Sequence, residues 1–244
     1  MLFATLNGVK VEANPKAQGT CLLCDQPVFP KCGEINVWHW AHYKDKNCDY
    51  WYEPETEWHK NWKLVFGKEN CEIVISKDGC KHIADVLTND DLIIELQNSP
   101  IQIDVIRERE DFYGERMLWI INGKHFKNNF SIFKSRLDED IKYFRFYDPL
   151  SAEFGKVDNS PKNEFNFTWS WCRKSWSNVQ RNVFIDFGDE YLFWVKEGMG
   201  TNSGKGNQVM KKFFLNKYGG DLELLATLID GSKDTIKRLK TYEK

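Results

Sequence analysis

The sequence predicts a mixed α/β (α+β) protein whose core has the order helix, strand, strand, strand, helix, strand, written αβββαβ. Three observations predict this order. Apolar residues recur at helical spacing between Glu53 and Phe66, three short apolar runs separated by turn sequences follow, and a second helical segment precedes one more apolar run. A cysteine-rich module comes before this core, and a mixed extension follows it.

The first helix is predicted to begin at Glu53. Proline is well placed in a first helical turn, and acidic residues there complement the positive end of the helix dipole. The expected buried face consists of Trp58, Trp62, Val65 and Phe66.

Three strands are predicted after this helix, at 71–76, 81–87 and 92–97. The turns between them contain Lys77-Asp-Gly and Thr88-Asn-Asp-Asp, which are typical turn sequences. Because both turns are short, the three strands should be antiparallel neighbours.

The second helix is predicted from a capping signal, with Ser99 as the cap, Pro100 in the first turn and Gln102 at the reciprocal capping-box position. It should run to about Gly114, and a fourth strand follows at 117–122. A strand–helix–strand unit of this length favours parallel pairing through a right-handed crossover.

Composition narrows the class of protein. The chain has 244 residues, a formal net charge of −2 and no apolar run long enough to cross a membrane, so we expect a cytoplasmic protein without membrane contact. The weak net charge means that any nucleic-acid contact must depend on local patches. Candidates for such patches are Lys124, Lys127, Lys134 and Arg136.

The seven cysteines are odd in number and, apart from Cys172, lie in the first eighty residues, which favours metal binding over disulfides. Cys21 and Cys24 have the spacing of a zinc knuckle. We expect His42 and Cys48 to complete a structural zinc site. His39 is the substitute for His42, since residues three apart in an extended segment point to opposite faces. Cys32 is a fifth candidate, although its sequence context is typical of a hairpin turn.

Two carboxylates interrupt apolar strands in the predicted core. Asp85 lies in IADVL and Glu95 in LIIELQ, and burying two converging carboxylates is costly unless a cation neutralises them. Gln97 should project to the same side of its strand as Glu95, and Glu57 could approach from the first helix. This pattern predicts a divalent metal site.

Several motifs in one order carry a family resemblance: WHWAH, EPETEWHKNWK, KHIADV, IIELQNSPI and REREDFY. Together they resemble the competence protein CoiA-like nuclease family, within the PD-(D/E)xK restriction-endonuclease-like superfamily. Ala84 stands before Asp85 where that superfamily often has proline, and Gln97 stands where lysine is commoner.

The resemblance implies a nuclease that hydrolyses DNA phosphodiester bonds with Mg²⁺ or Mn²⁺, linked to competence, recombination or defence. Asp85 and Glu95 would be metal ligands, Gln97 would position water or phosphate, and Glu57 would add a second metal site or orient water. Lys63, Arg107 and Arg109 are predicted to contact nucleic-acid phosphates. The predicted substrate is DNA, with single-stranded DNA as one option.

Three parts of the chain are predicted: a zinc-binding module at 1–52, the nuclease core at 53–123, and an extension at 124–244 that packs or binds nucleic acid. Two alternatives remain open. One is a non-catalytic, zinc-containing nucleic-acid-binding module, and the other is an RNA nuclease.

Within the extension, the tryptophan-rich segment 169–176 contains Arg173 and Lys174 and could pack in the core or lie along a nucleic-acid path. The glycine-rich segment 198–206 departs from a phosphate-binding loop at Met199 and Gly206. It is predicted to be a flexible turn before a helix near 208–218.

Overall fold

The computed structural model describes residues 1–34, 37–43, 48–134 and 164–230. The chain forms two compact units, Met1–Glu95 and Leu96–Lys244. The division at residues 52 and 123 stays a prediction. Arg136 lies outside the described residues. No helix in the described ranges is long and apolar enough to cross a membrane.

The first unit begins with a five-stranded sheet in the order β2-β1-β3-β4-β5, in which all neighbours are antiparallel. Its strands are β1 (Phe3–Leu6), β2 (Val9–Glu12), β3 (Gly19–Thr20), β4 (Pro27–Lys31) and β5 (His39–His42). Trp40 fills the core under this sheet. Gly19 packs closely against this core, because an added Cβ would lie 3.0 Å from the Ala4 Cβ and 3.3 Å from the Trp40 ring.

The αβββ part of the predicted order follows. Its elements are α1 (Glu57–Leu64), β6 (Cys71–Lys77), β7 (Cys80–Leu87) and β8 (Ile93–Gln97). As predicted, β6 pairs with β7 and β7 with β8, both antiparallel. The four apolar residues expected on the buried face of α1 are all buried.

The helix α1 begins later than the sequence predicted. It begins at Glu57 instead of Glu53, and the hydroxyl of the preceding Thr56 accepts a hydrogen bond from the His59 amide at 3.3 Å. A threonine cap gives a hydrogen-bond acceptor to an amide of the first turn that has no helical partner. The proline at position 54 has no side-chain oxygen and cannot do this.

The second unit contains the remaining helices and a six-stranded arrangement in the order β9-β12-β13-β14-β11-β10. The elements are α2 (Ile103–Tyr113), β9 (Met117–Asn122), β10 (Phe130–Phe133), β11 (Glu164–Trp169), β12 (Asn182–Asp186), β13 (Tyr191–Glu197), β14 (Ser203–Met210), α3 (Lys211–Tyr218) and α4 (Leu222–Asp230). The pair β9 and β12 is parallel, and the other neighbours are antiparallel.

Two predictions for the second unit were wrong in detail. Gln102, not Ser99, is the cap of α2, and no side chain hydrogen-bonds at that cap. The segment predicted as a flexible turn is a turn over 198–202, but 203–206 belong to strand β14, and α3 begins at Lys211. Glycines are needed in β14 because a Cβ at Gly204 or Gly206 would collide with neighbouring backbone and phenylalanine rings.

Candidate metal centre and acidic cluster

The turn between β3 and β4 forms the cysteine knuckle. The Cys21 amide donates to the Gln26 carbonyl at 2.9 Å, and the Asp25 amide donates to the Cys21 carbonyl at 3.2 Å. Asp25 has a φ of 56°, a left-handed conformation that asparagine and aspartate tolerate better than most residues. The Leu23 amide also points at the Cys21 sulfur, at 3.4 Å. The backbone thus turns both thiols toward one point.

Four side chains converge at this point. The ligand atoms of Cys21, Cys24, His42 and Cys48 all lie within 4.8 Å of one another. The sulfurs of Cys21 and Cys48 are 3.5 Å apart, and the Cys24 sulfur is 3.3 Å from His42 Nε2. Tetrahedral zinc with Zn–S bonds of about 2.3 Å separates its sulfurs by about 3.8 Å, so the spacing suits such an ion. The sequence predicted these four residues.

Burial acts against free thiolates here. It raises the pKa of the Cys21 and Cys48 thiols, and it lowers the pKa of the His42 imidazole. A metal cation would supply the charge that stabilises the thiolates, and neutral imidazole is the form that binds metal. The group therefore fits a closed structural site.

The two other candidate ligands lie elsewhere. His39 is at the opposite end of β5, and its Nδ1 is 2.8 Å from the Val37 carbonyl oxygen. Cys32 directly follows β4 and packs beside the apolar core of the small sheet. Among the described residues, neither belongs to the four-ligand group.

A second polar cluster surrounds Lys63 on α1. The Lys63 ammonium is 3.0 Å from Glu55, 3.0 Å from Glu72 and 3.1 Å from Asp85. Lys63 is buried, which by itself lowers its pKa, but the carboxylates of Glu55, Glu72 and Asp85 together raise that pKa well above its ordinary value. Lys63 therefore stays protonated and serves this cluster as a fixed positive charge.

Glu72 is the most constrained member of the cluster. It lies in β6 between Cys71, which pairs with Val86 of β7, and Ile73, which pairs with Ala84, and it has a φ of 46°. Its carboxylate accepts hydrogen bonds from the backbone amides of Leu2 and Phe3, at 2.7 and 2.8 Å. Left-handed backbone at a non-glycine residue costs about 1–2 kcal/mol. The contacts of the buried carboxylate offset this strain and fasten β1 to β6.

The low pKa of Glu72 predicts that acid lowers the stability of the folded protein. Burial raises this pKa, but Lys63, the amino group of Met1 and the two amide donors lower it by more, to about 2. Because the folded value lies below the unfolded value of about 4.3, the resulting stability is present above that pH and is lost as pH falls toward 2. We expect a loss of about 3 kcal/mol over this window.

Urea unfolding at a series of pH values checks this expectation. Glu72→Gln should flatten the slope of unfolding free energy against pH in the window, whereas the exposed Glu69→Gln should leave it unchanged. A Glu72→Gln variant with the wild-type slope would contradict the assignment.

Asp85 and Glu95 lie on the neighbouring strands β7 and β8, as predicted. The Asp85 amide donates to Glu95 Oε1 at 3.3 Å, and Glu95 is buried. The Asp85 side chain keeps 20% of its surface exposed. One carboxylate is therefore accessible from solvent, and the other supports it from within the sheet.

The remaining predicted site residues have varied surroundings. Glu57 is exposed at the start of α1, so Glu55 is the acid of this segment that faces Lys63. Gln97, in the second unit, is buried and donates to the Ser99 carbonyl at 3.1 Å. Arg107 is exposed, 3.7 Å from Asp104, while Arg109 is buried, with its guanidinium 5.7 Å from the Trp119 ring centre. The predicted phosphate contacts of Lys63, Arg107 and Arg109 stay predictions.

Sequence reasoning missed Glu72 and Asp49. Glu72 interrupts the apolar run CEIVI, the same signal that identified Asp85. Asp49 accepts from the Ile83 amide at 2.9 Å and contacts His82 Nδ1 at 3.0 Å. The Trp51 ring stacks on His82 at 3.4 Å. These contacts fasten the segment after Cys48 to β7, and no local sequence pattern signals them.

Fold and metal centre define a mixed α+β protein with an N-terminal Cys₃His group that could bind a zinc-like ion. Residues 8–51, which contain all four ligands, match the family model described as Competence protein CoiA, N-terminal domain. The match covers the N-terminal region alone, which is similar to the N-terminal domain of that family. No curated protein and no solved structure matches it.

Proposed function

We propose that this chain is a metal-dependent nuclease that hydrolyses DNA phosphodiester bonds, with Asp85 and Glu95 as ligands of Mg²⁺ or Mn²⁺. The observation that carries the proposal is the pair of carboxylates on adjacent strands, joined by the Asp85 amide and Glu95 Oε1 at 3.3 Å. The CoiA-like N-terminal region supports it. Placement in the PD-(D/E)xK superfamily is part of the same proposal.

The charges of the cluster fit a divalent cation. Four acidic side chains lie at or beside the cluster, namely Glu55, Glu72, Asp85 and Glu95. Two basic side chains accompany them: Lys63 within the cluster, and Lys10, whose ammonium donates to the carbonyl oxygens of Cys71 and Glu72. Counted over these six side chains, the formal excess is two negative charges. Mg²⁺ binds through one or two carboxylates and keeps several waters, so the partly exposed Asp85 and buried Glu95 are sufficient ligands.

The bound ion would polarise the scissile phosphate and lower the pKa of a coordinated water. The protein would hold the two carboxylate ligands in position. Lys63 contacts Asp85 Oδ1 at 3.1 Å and fixes that carboxylate, and Glu95 is fixed by its burial in β8. Lys63 cannot accept the proton from water because its pKa is raised, so its contribution is electrostatic. Gln97, two residues after Glu95, would hydrogen-bond the water or the phosphate.

Cleavage assays test the proposal. Wild-type protein should cut DNA with Mg²⁺ or Mn²⁺, and Asp85→Asn and Glu95→Gln should each lose at least about a hundredfold in rate, since each removes charge from the transition state. The control is Asp78→Asn, an exposed carboxylate in the turn between β6 and β7. Single-stranded DNA, duplex DNA and RNA are compared, because RNA is the alternative substrate.

Each outcome separates the hypotheses. Wild-type protein that cuts none of the three substrates contradicts the nuclease proposal, and so do Asp85→Asn and Glu95→Gln variants that cut at the wild-type rate. Thermal unfolding of every variant distinguishes lost chemistry from lost folding.

A second candidate function is a zinc-containing nucleic-acid-binding module without catalysis. One observation favours it: Lys63 alone already contacts Glu55, Glu72 and Asp85, as expected for a structural ion network. In that case Asp85→Asn would change stability and leave nucleic-acid binding intact.

A further inference from the structure

Trp171 differs from the tryptophans next to it in the segment 169–176. Trp169 and Trp176 are fully buried, whereas 76% of Trp171 is exposed. The two interpretations of this segment therefore apply to different residues: Trp169 and Trp176 pack in the core, and Trp171 does not. A tryptophan this exposed leaves the faces of a large aromatic ring in water, and tryptophan is enriched at binding interfaces.

The backbone beside Trp171 is fixed. The Ser170 amide donates to the Asn129 carbonyl at 2.9 Å. The Asn202 side-chain amide donates to the carbonyls of Trp169 and Ser170, at 2.9 and 3.3 Å. On the other side of the loop, the Arg173 guanidinium lies 4.8 Å from the centre of the Phe126 ring. The indole is thus held on an ordered loop. Little conformational entropy of the loop is therefore lost when a ligand stacks on the indole.

Two segments beside this loop are rich in basic residues, although the whole chain has a formal charge of −2. Residues 165–181 contain Arg173, Lys174 and Arg181 and neither aspartate nor glutamate. Residues 124–134, whose strand β10 pairs with β11, contain three lysines and no acid. We call these two paired segments the basic face. Lys174 on this face is exposed.

We propose that Trp171 and the basic face bind a single-stranded nucleic acid, with a base stacked on the indole and neighbouring phosphates at Lys174 and Arg173. A single strand presents the faces of its bases, whereas a duplex hides them in its own stack. A protein partner fits less well, because the residues next to Trp171 in the sequence, Ser170, Cys172, Arg173 and Lys174, include no large apolar side chain. That the bound strand is also a substrate rests on the proposed function. The binding itself does not depend on it.

The test measures binding separately from cleavage. Full-length Asp85→Asn protein, without added Mg²⁺ or Mn²⁺, is titrated into labelled oligo(dT), oligo(U) and a mixed-sequence duplex, and fluorescence anisotropy is recorded. Trp171→Ala should weaken single-strand binding by about tenfold to hundredfold, whereas Trp171→Phe should restore most of it. Lys174→Ala should lower the slope of log K against log salt by about 0.7, and the exposed Lys68→Ala should not.

The outcomes are distinct from those of the cleavage assay. Preferential binding of either oligo(dT) or oligo(U), lost in Trp171→Ala, supports the inference even if wild-type protein cuts nothing. Unchanged affinity in Trp171→Ala, a preference for duplex, or no binding overturns it, even if cleavage at Asp85 and Glu95 is found. Unaltered thermal unfolding of the Trp171 variants shows that the loss is not one of folding.

Discussion

Lys63→Ala is expected to lower the free energy of unfolding by about 3–5 kcal/mol, because it removes the positive charge from a buried ion network and leaves its carboxylates uncompensated. Glu55, Glu72 and Asp85 all lie 3.0–3.1 Å from the Lys63 ammonium. Two of them, Glu55 and Glu72, have almost no exposed side-chain surface.

Lys60→Ala is the matched control. Lys60 is on the same helix and is 3.3 Å from Glu12, but both side chains of this pair are substantially exposed. An exposed pair contributes about 0–1 kcal/mol, so the substitution should change stability little. Urea unfolding near pH 7 compares the two variants. Similar losses for Lys60→Ala and Lys63→Ala would mean that the carboxylates around Lys63 do not depend on its charge.

A pH series adds a signature that lost packing cannot produce. Without Lys63 the low pKa of Glu72 should rise, since Lys63 is the largest of the effects that lower it. The stability difference between wild type and Lys63→Ala should therefore shrink as pH falls below about 4.3. A constant difference across that range would indicate that the loss comes from the missing aliphatic chain.

The sequence was most informative where few structural roles could account for a residue type in its position, such as paired cysteines or a carboxylate within an apolar strand. The Cys21 to Cys24 spacing, with His42 and Cys48, predicted the four ligands that the fold brings together. The carboxylates Asp85 and Glu95, each within an apolar run, predicted neighbouring strand positions, and the order αβββαβ appears in the chain.

The sequence was least informative about long-range partners. It did not predict the carboxylates from three other parts of the first unit that surround the Lys63 ammonium, and the phosphate contact of Lys63 stays a prediction. It chose Glu57 from a run of three acids, although Glu55 is the one that faces the cluster. Which acid of such a run turns inward depends on where the helix begins, and Thr56 shifted that point by four residues.

Cys24→Ser is expected to abolish zinc binding and to lower the unfolding temperature by about 6–12 °C, as a loss of about 3 kcal/mol would in a protein of this size. The four ligands come from the knuckle, from β5 and from the segment after it. A closed metal site therefore joins parts of the chain that share a small core. Elemental analysis should find about one zinc per wild-type chain and almost none in the variant.

Cys32→Ser is the control for this experiment, because Cys32 lies in the same small sheet region but outside the four-ligand group. It should keep its zinc and its unfolding temperature. A further comparison separates the metal from the substitution itself: once a chelator has removed the metal, wild type and Cys24→Ser should unfold at nearly the same temperature. Wild-type protein purified without metal and unresponsive to added zinc would contradict the site. Zinc lost from Cys32→Ser as readily as from Cys24→Ser would instead mean that the ligand set is wrong.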